Sequence, residues 1–403
     1  MRALWLILAL PFYSSARAAD GFETRWTPIF DGQFLLGQVL QDGKVSSWQG
    51  NANAQFTPAI KFSETTALLP TYAAAYQGTK SATELAGGAQ LFQDSQSHLL
   101  NLKGIYQHEH WKLKPSLSYR WEFLRETSQE QWGQGIFDYR KPAAGLEVEY
   151  AFPARAKISA AFDYYEIDFP NYSSLESQVS GSLGREQAQR YTLNTRNYSW
   201  TLGGDFPLPF EGGSARLAGN ITERGYPEQH LVAGTGTLIP DLRGDEISSI
   251  AGTFYYGRAL SPKVAGLFSC ALAYTLDHSN QNHYDAELNT FNQGYYSYDE
   301  YSIEPRVALV IGARRVEYSL AYLRIERNYL ERLAQDPTGS YLNDTTRLTQ
   351  DTILFDLAIP LAHGFKFLAH ADLTNSGSNM RYEKIFRYNY TLSSHLLGFS
   401  YSY

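Results

Sequence analysis

The chain has 403 residues, 43% of them hydrophobic and 15% aromatic, and its mean hydropathy is −0.36. Beyond the N-terminus it has no apolar run of about 18 residues, which excludes membrane-spanning helices. A net charge of −7 offers no attraction for nucleic acid, and a single cysteine, Cys270, excludes an intramolecular disulfide.

The first 18 residues have the three parts of a signal peptide. Arg2 supplies a positive charge, residues 3–12 form a short apolar core, and Ala16 and Ala18 flank Arg17 in a small-x-small cleavage site. The apolar run is too short to cross a bilayer. We therefore predict cleavage after Ala18, which would export the mature chain.

Further along the chain, apolar and polar residues alternate over long segments. In residues 112–123, Leu113 and Tyr119 lie on one face of the predicted strand, whereas Lys112, Lys114 and Arg120 lie on the other. A period of two is typical of a β-strand, and a tilted strand of about 9 to 11 residues crosses a bilayer. Soluble sandwiches alternate as well, but their strands are usually about 5 or 6 residues long.

Alternation predicts fifteen strands from residue 49 onward, and an even strand number requires one more at 32–41. We predict sixteen strands, with fourteen as the alternative. They are placed near 32–41, 49–62, 65–77, 95–110, 112–125, 136–150, 155–169, 191–206, 213–225, 246–259, 263–277, 298–311, 314–328, 349–361, 364–377 and 390–403.

Short and long connections alternate between these strands. Tight turns are predicted near residues 62–64, 153–154 and 312–313, and longer polar loops near residues 227–244 and 329–347. Short periplasmic turns and long extracellular loops are typical of barrels that cross an outer membrane. The predicted fold is therefore all-β, a transmembrane antiparallel up-and-down β-barrel. Aromatic side chains beside the tight turns are expected to form a lower girdle: Phe62, Trp111, Tyr150, Phe152, Phe206 and Phe365.

The predicted organisation has three parts: a signal peptide at 1–18, a periplasmic N-terminal segment at 19–31, and the barrel at 32–403. The segment at 19–31 contains Phe22, Trp26 and Phe30, which could wedge into the barrel as a plug. The third long-side loop, 127–135, is too short to narrow a pore by folding inward. Any narrowing is expected to come from another loop or from this N-terminal segment.

The last strand ends on alternating apolar residues, with Leu397, Phe399, Tyr401 and Tyr403 on one face. Gly398, Phe399, Tyr401 and Tyr403 resemble the insertion signal of bacterial outer-membrane β-barrel proteins, although Leu396 stands where that signal usually has a polar residue. The resemblance is to a porin-like architectural class and identifies no specific family. It implies outer-membrane lipid and lipopolysaccharide as surroundings and the barrel assembly machinery as a partner. The oligomeric state stays open.

The polar face of the strands supplies candidates for the lining of a pore. Cations and carboxylates are nearly equal in number among them, which fits either a hydrated channel or groups that pair across the wall and fill the interior. The candidates are Lys103, Lys112, Lys114, Arg120, Glu122, Glu147, Glu149, Lys157, Asp163, Asp205, Arg216, Asp277, Arg306, Arg315, Glu317, Asp356, Lys366 and Asp372.

Motifs for catalysis, cofactors and metals are absent from the sequence. His108 and His110 could hold a metal ion, but their place beside a turn favours an interfacial role. Cys270 is expected to face lipid. The tyrosines between 279 and 301 could stack on sugars or extend an upper aromatic girdle.

Four functions were compared. The favoured hypothesis is a passive, weakly selective channel for small hydrophilic solutes, with no reaction, cofactor or nucleic-acid partner. The alternative is an exporter or assembly barrel for polysaccharide or polypeptide that works with periplasmic partners. A surface adhesin or structural barrel is less favoured, and a membrane hydrolase is disfavoured because no nucleophile and base cluster together.

N-terminal sequencing of protein purified from membranes tests the targeting prediction. The mature chain is expected to begin at Ala19 and to read Ala-Asp-Gly-Phe. Recovery of an intact Met1 in membrane-purified material would contradict export through a cleaved signal peptide.

Overall fold

The computed structural model describes residues 24–78, 94–125, 129–153, 155–173, 183–188, 190–383 and 387–403. The predicted signal peptide, its cleavage site and Phe22 lie outside these residues. Within the described ranges, none of the chain forms a helix that is long and apolar enough to cross a membrane. Strands and the turns between them dominate the described residues.

The strands are numbered in chain order. They are β1 (Arg25–Thr27), β2 (Phe30–Gln41), β3 (Lys44–Phe56), β4 (Ala59–Lys61), β5 (Thr66–Gln77), β6 (Asp94–His108), β7 (Trp111–Arg125), β8 (Tyr139–Ala151), β9 (Lys157–Ile167), β10 (Thr195–Pro207), β11 (Gly213–Val232), β12 (Leu238–Ser261), β13 (Val264–Ser279), β14 (His283–Asp285), β15 (Thr290–Asn292), β16 (Tyr298–Ile311), β17 (Val316–Gln335), β18 (Tyr341–Pro360), β19 (Phe365–Ser378) and β20 (Tyr390–Ser402).

Sixteen of these strands close into one antiparallel barrel. Each barrel strand pairs with its neighbours along the chain, and the first barrel strand, β2, pairs with the last, β20. That closing ladder runs from Asp31 opposite Ser402 to Gln41 opposite Leu392. The prediction of sixteen strands is confirmed, and the strand added at 32–41 on the even-number rule is β2.

Two glycines allow β2 and β20 to approach each other closely. A Cβ atom on Gly37 would lie 1.8 Å from the carbonyl oxygen of His395, and one on Gly398 would lie 1.8 Å from that of Phe34. No side chain fits at either position. Gly398 of the insertion signal therefore has a structural role at the closing seam, and Leu396, which departs from that signal, points inward there and is buried.

The described part of the N-terminal segment belongs to the barrel wall. Strand β1 pairs with β4 at the periplasmic rim, where Trp26 lies opposite Ile60. Trp26 is 60% exposed, and the ring centroid of Phe30 lies 6.0 Å from that of Tyr401 on the outer face. The interpretation of Trp26 and Phe30 as plug residues is wrong, because both face away from the lumen.

Two extracellular hairpins are longer than the alternation predicted. Residues 227–244 and 329–347 were expected to be loops, but β11 and β12 continue to a turn at 233–237, and β17 and β18 continue to a turn at 336–340. The register shifts between Gly225 and His230 and between Asn328 and Leu333. Such bulges interrupt the period of two, and this hid the extensions in the sequence.

The outer face of the barrel is apolar. Leu272, Leu320 and Leu397 are each more than half exposed, as expected for side chains that contact lipid rather than water. The residues predicted for the lower girdle lie beside the short turns, and Phe62, Trp111 and Phe365 are exposed there. Cys270 occupies an outward position of β13, between Phe254 and Pro305 on the adjacent strands.

Adjacent positions of β13 test this division of faces. Leu272→Arg would place a charge in the lipid, and we expect it to lower the free energy of unfolding by about 2 to 4 kcal/mol. Ala273→Arg points into the lumen and should be tolerated. Urea titration of the barrel refolded in lipid measures both variants. Equal destabilisation by the two substitutions would contradict a hydrated interior.

Candidate functional site: the lumen and its extracellular mouth

The inner face of β6 to β8 carries a network of lysines and glutamates. Lys114 Nζ lies 2.7 Å from Glu147 Oε1 and 2.7 Å from Glu149 Oε2. Lys103 binds Glu147 at 3.1 Å, and Lys112 lies 3.6 Å from Glu149. The network lies in the periplasmic half of the wall, since Lys112 and Lys114 directly follow the turn at 109–110.

A second charged network lies on β16 to β19. The ring of His370 stands between two carboxylates, with Nδ1 2.7 Å from Asp356 and Nε2 3.3 Å from Asp372. Arg306 binds Asp356 at 3.3 Å and Glu304 at 3.0 Å. Because β8 is the sixth barrel strand and β18 the fourteenth, the two networks face each other across half the circumference.

The two facing walls differ in their balance of charged side chains. On β6 to β9, six inward cations accompany four carboxylates: Lys103, Lys112, Lys114, Arg120, Lys141 and Lys157 against Glu122, Glu147, Glu149 and Asp163. On β16 to β19, five carboxylates accompany four permanent cations and His370, which stands between two of the carboxylates: Glu300, Glu304, Glu317, Asp356 and Asp372 against Arg306, Arg327, Arg332 and Lys366. Cations thus exceed carboxylates on β6 to β9, whereas charges of both signs are nearly equal in number on β16 to β19.

The remaining lining candidates lie in different places. Asp205 and Arg216 pair at 2.6 Å on the inner face near the periplasmic end of β10 and β11. Asp277 points inward near the extracellular end of β13 and is buried. The prediction that Arg315 lines the pore is wrong. Arg315 lies exposed in the turn at 312–315, with a φ of 54°, and not on the lumen wall. The positive φ ends the alternation on which the prediction rested.

At the extracellular mouth, residues 280–297 form a loop that carries the short β14–β15 hairpin. The Tyr296 hydroxyl donates to Glu186 Oε1 at 2.9 Å, and His283 Nδ1 lies 2.8 Å from the same oxygen. Glu186 belongs to the connection between β9 and β10. Burial raises the pKa of the Tyr296 hydroxyl well above its usual range, so it stays a neutral donor.

Two arginines of the wall hold this loop by stacking on tyrosines. The Arg243 guanidinium lies 4.3 Å from the ring centroids of both Tyr226 and Tyr296. Arg332 lies 4.6 Å from the centroid of Tyr295 and is hydrogen-bonded to Tyr388. Desolvated contacts of this kind are worth about 2 kcal/mol each, so the loop is fixed to the wall.

The loop after β19 also packs against the mouth. Met380 and Tyr388 form a buried cluster with Tyr329 and Leu348, which point inward from β17 and β18. Side chains that reach into the extracellular mouth therefore come from the loop at 280–297, from the segment at 183–188 and from residues 379–383 and 387–389. That a loop narrows the pore stays a prediction.

The sequence indicated the tyrosine-rich loop but not the residues that hold it to the barrel wall. Arg243, Arg332 and Glu186 were not candidates, because each lies far along the chain from the tyrosine that it contacts. The only available signal was the density of tyrosines at 295–298. In the structure, Tyr295 and Tyr296 pack inward on arginines rather than lining an exposed sugar platform.

The histidine pair predicted as a weak metal candidate lies at the periplasmic interface. His110 packs on Tyr150 with ring centroids 5.9 Å apart, beside the turn at 109–110. Within the described ranges, no group of three or more histidine, cysteine or acidic residues could hold a metal ion.

Comparison with known proteins gives likenesses of architecture. No family model matches the chain, and no curated protein matches it. Among solved structures, OmpT, an outer membrane protein of Vibrio cholerae, is similar at a TM-score of 0.46 and 10% identity over 94% of this chain and 99% of that chain. Pseudomonas aeruginosa OccD3 is similar at a TM-score of 0.48 and 10% identity over 93% of this chain and 91% of that chain. A bacterial polysaccharide outer membrane secretin is similar at a TM-score of 0.44 and 9% identity over 93% of this chain and 98% of that chain.

The anchors of the loop can be removed together. In a double variant, Arg243→Gln with Arg332→Gln, both stacks on Tyr295 and Tyr296 are lost, and we expect faster chymotrypsin cleavage within 280–297. Arg347→Gln removes an exposed arginine from the same side of the barrel and serves as the matched control. An unchanged cleavage pattern in the double variant would show that the stacks do not hold the loop.

Proposed function

We propose that this outer-membrane β-barrel is a passive, weakly selective channel for small hydrophilic solutes. The observation that carries the proposal is the way in which the charged side chains of the wall pair. Every ion pair between inward strand residues in the described ranges joins side chains on the same strand or at most two strands apart.

Charged groups that filled a barrel would have to meet across it. Instead, Lys114 pairs with Glu147 on the adjacent strand, and Arg306 pairs with Asp356 two strands away. The charges of the two networks are thus satisfied within each wall, and this pairing supports a lumen that charged groups do not bridge. A barrel of sixteen strands is wide enough for an aqueous channel.

Weak selectivity follows from the charge balance of the lining. Inward cations and carboxylates are nearly equal in number around the barrel, so neither sign of ion is excluded. A lining of charged groups of both signs favours polar solutes over apolar ones.

Permeation measurements test the channel directly. Liposomes that contain the refolded protein should swell in isotonic solutions of neutral sugars, and the reversal potential in a potassium chloride gradient should lie close to zero. Liposomes with heat-unfolded protein are the control. A folded barrel that is silent in both measurements would contradict the channel and favour an exporter that needs periplasmic partners.

A further inference from the structure

An uninterrupted row of polar side chains crosses the inner face of five neighbouring strands, β7 to β11. Arg120 on β7 is the direct register partner of Lys141 on β8. The Lys141 ammonium lies 4.0 Å from the ring centroid of Tyr165 on β9. Tyr165 is opposite Asn197 on β10, and Asn197 is opposite Arg224 on β11. These five strands contribute three cations and no carboxylate to the row, and the next position along it is Asp245 on β12, the register partner of Arg224.

The placement of Arg120 and Lys141 is unfavourable without a ligand. Like charges directly opposite each other on adjacent strands destabilise a sheet. The positive charge of Arg224 also repels the Lys141 ammonium, whereas the Asp163 carboxylate attracts it. A barrel wall has no structural need for such a pair, since one carboxylate in place of either residue would remove the repulsion.

These three cations also differ from the others in the lumen. Lys114, Arg243 and Arg327 each bind a carboxylate within 2.8 Å. In the described part of the chain, no ion pair includes Arg120, Lys141 or Arg224, although Arg224 is the register partner of Asp245. Arg224 Nε donates to Asn197 Oδ1 at 3.1 Å, and Lys141 rests on the Tyr165 ring.

Three carboxylates lie next to the row. Two of them are bound to other side chains, and the third lies closer to the periplasm. Glu122 accepts a hydrogen bond from the Tyr139 hydroxyl at 2.6 Å. Asp245 is held by Arg243, with Nη2 at 2.8 Å and Nε at 3.0 Å. Asp163 lies one inward position closer to the periplasm on β9 and forms no ion pair in the described residues. The row thus contains more cations than carboxylates, with Asp163 and Asp245 at its border.

We propose that this row is an anion subsite, which holds a small oxyanion such as phosphate or a carboxylate through Arg120, Lys141 and Arg224. The proposal rests on the channel function and deepens it, since it gives a preferred class of solute. A guanidinium offers paired donors that match an oxyanion, and the ammonium adds a point charge. Arg120 and Lys141 are partly exposed at inward positions, and Arg224 is more deeply buried at the end of the row.

The subsite is compatible with weak selectivity of the whole channel. Bulk selectivity reflects the summed charge of both walls, whereas binding reflects the local row. The expected signature is a saturable reduction of chloride current by inorganic phosphate at constant ionic strength.

The experiment uses the full mature protein in planar bilayers with inorganic phosphate as the probe. Lys141→Gln and, separately, Arg120→Gln should each raise the half-blocking phosphate concentration about tenfold, the loss expected for one hydrogen bond to a charged group. Lys366→Gln removes a lysine from the opposite wall, where it pairs with Glu317 at 3.3 Å, and should leave phosphate block unchanged. Heat-modifiable electrophoresis confirms that each variant is folded.

Asp163→Asn supplies a change in the opposite direction. Removal of this bordering negative charge should lower the half-blocking phosphate concentration, a gain that damage to the wall would not produce. Equal block in the wild type, Lys141→Gln and Arg120→Gln would overturn the subsite, as would an equal loss of block in Lys366→Gln.

Phosphate binding can also be measured without conduction, by the broadening of the phosphorus resonance in the presence of the folded protein in detergent. Broadening with no conductance would refute the channel and retain the subsite. Conductance without block and without broadening would refute the subsite and retain the channel.

Discussion

Closure of the backbone ladder between the first and last barrel strands is the constraint on which the rest of the structure depends. Lipid supplies no hydrogen bonds, so an open sheet edge in the membrane would leave a row of unpaired amides, each at a cost of several kcal/mol. The pairing of β2 with β20 removes both edges at once. Gly37 and Gly398 matter because they lie in that last seam, where a Cβ atom on either would collide with the opposite backbone.

Once the ladder is closed, the period of two assigns every strand residue to lipid or to water. This rule made most of the fold predictable from the sequence: fifteen of the sixteen strands and the inward charges follow from alternation, and the sixteenth strand follows from the even strand number. The turn between β2 and β3 also has the Asp-Gly sequence typical of a two-residue hairpin, and Asp42 and Gly43 adopt the positive φ values of 50° and 73° that such a turn requires. Local chemistry therefore determines the membrane-embedded part of the molecule.

The parts that could not be predicted depend on contacts that are distant along the chain. Bulges beyond Gly225 and Asn328 shift the register and extend two hairpins above the membrane, and no local pattern marks them. The contact of Glu186 with Tyr296 joins loops that are 110 residues apart. Arg315 failed as a lining residue for a local reason of a different kind, because a turn with positive φ breaks the alternation just before β17.

The distribution of ion pairs explains how a nearly balanced lumen can still contain a directed site. Lys114 pairs with Glu147, and Arg306 pairs with Asp356, each within its own wall. Because each cation is neutralised by its carboxylate, these pairs contribute little to the electrostatic potential in the lumen. The local potential is therefore determined by the cations that form no ion pair with a carboxylate. Two of these cations, Arg120 and Lys141, lie opposite each other on adjacent strands. A repulsive pair of this kind lowers the stability of the empty barrel, and an anion that bridges the two residues would relieve the repulsion. The same contact would then supply affinity for the anion, because its binding free energy includes the repulsion that it cancels.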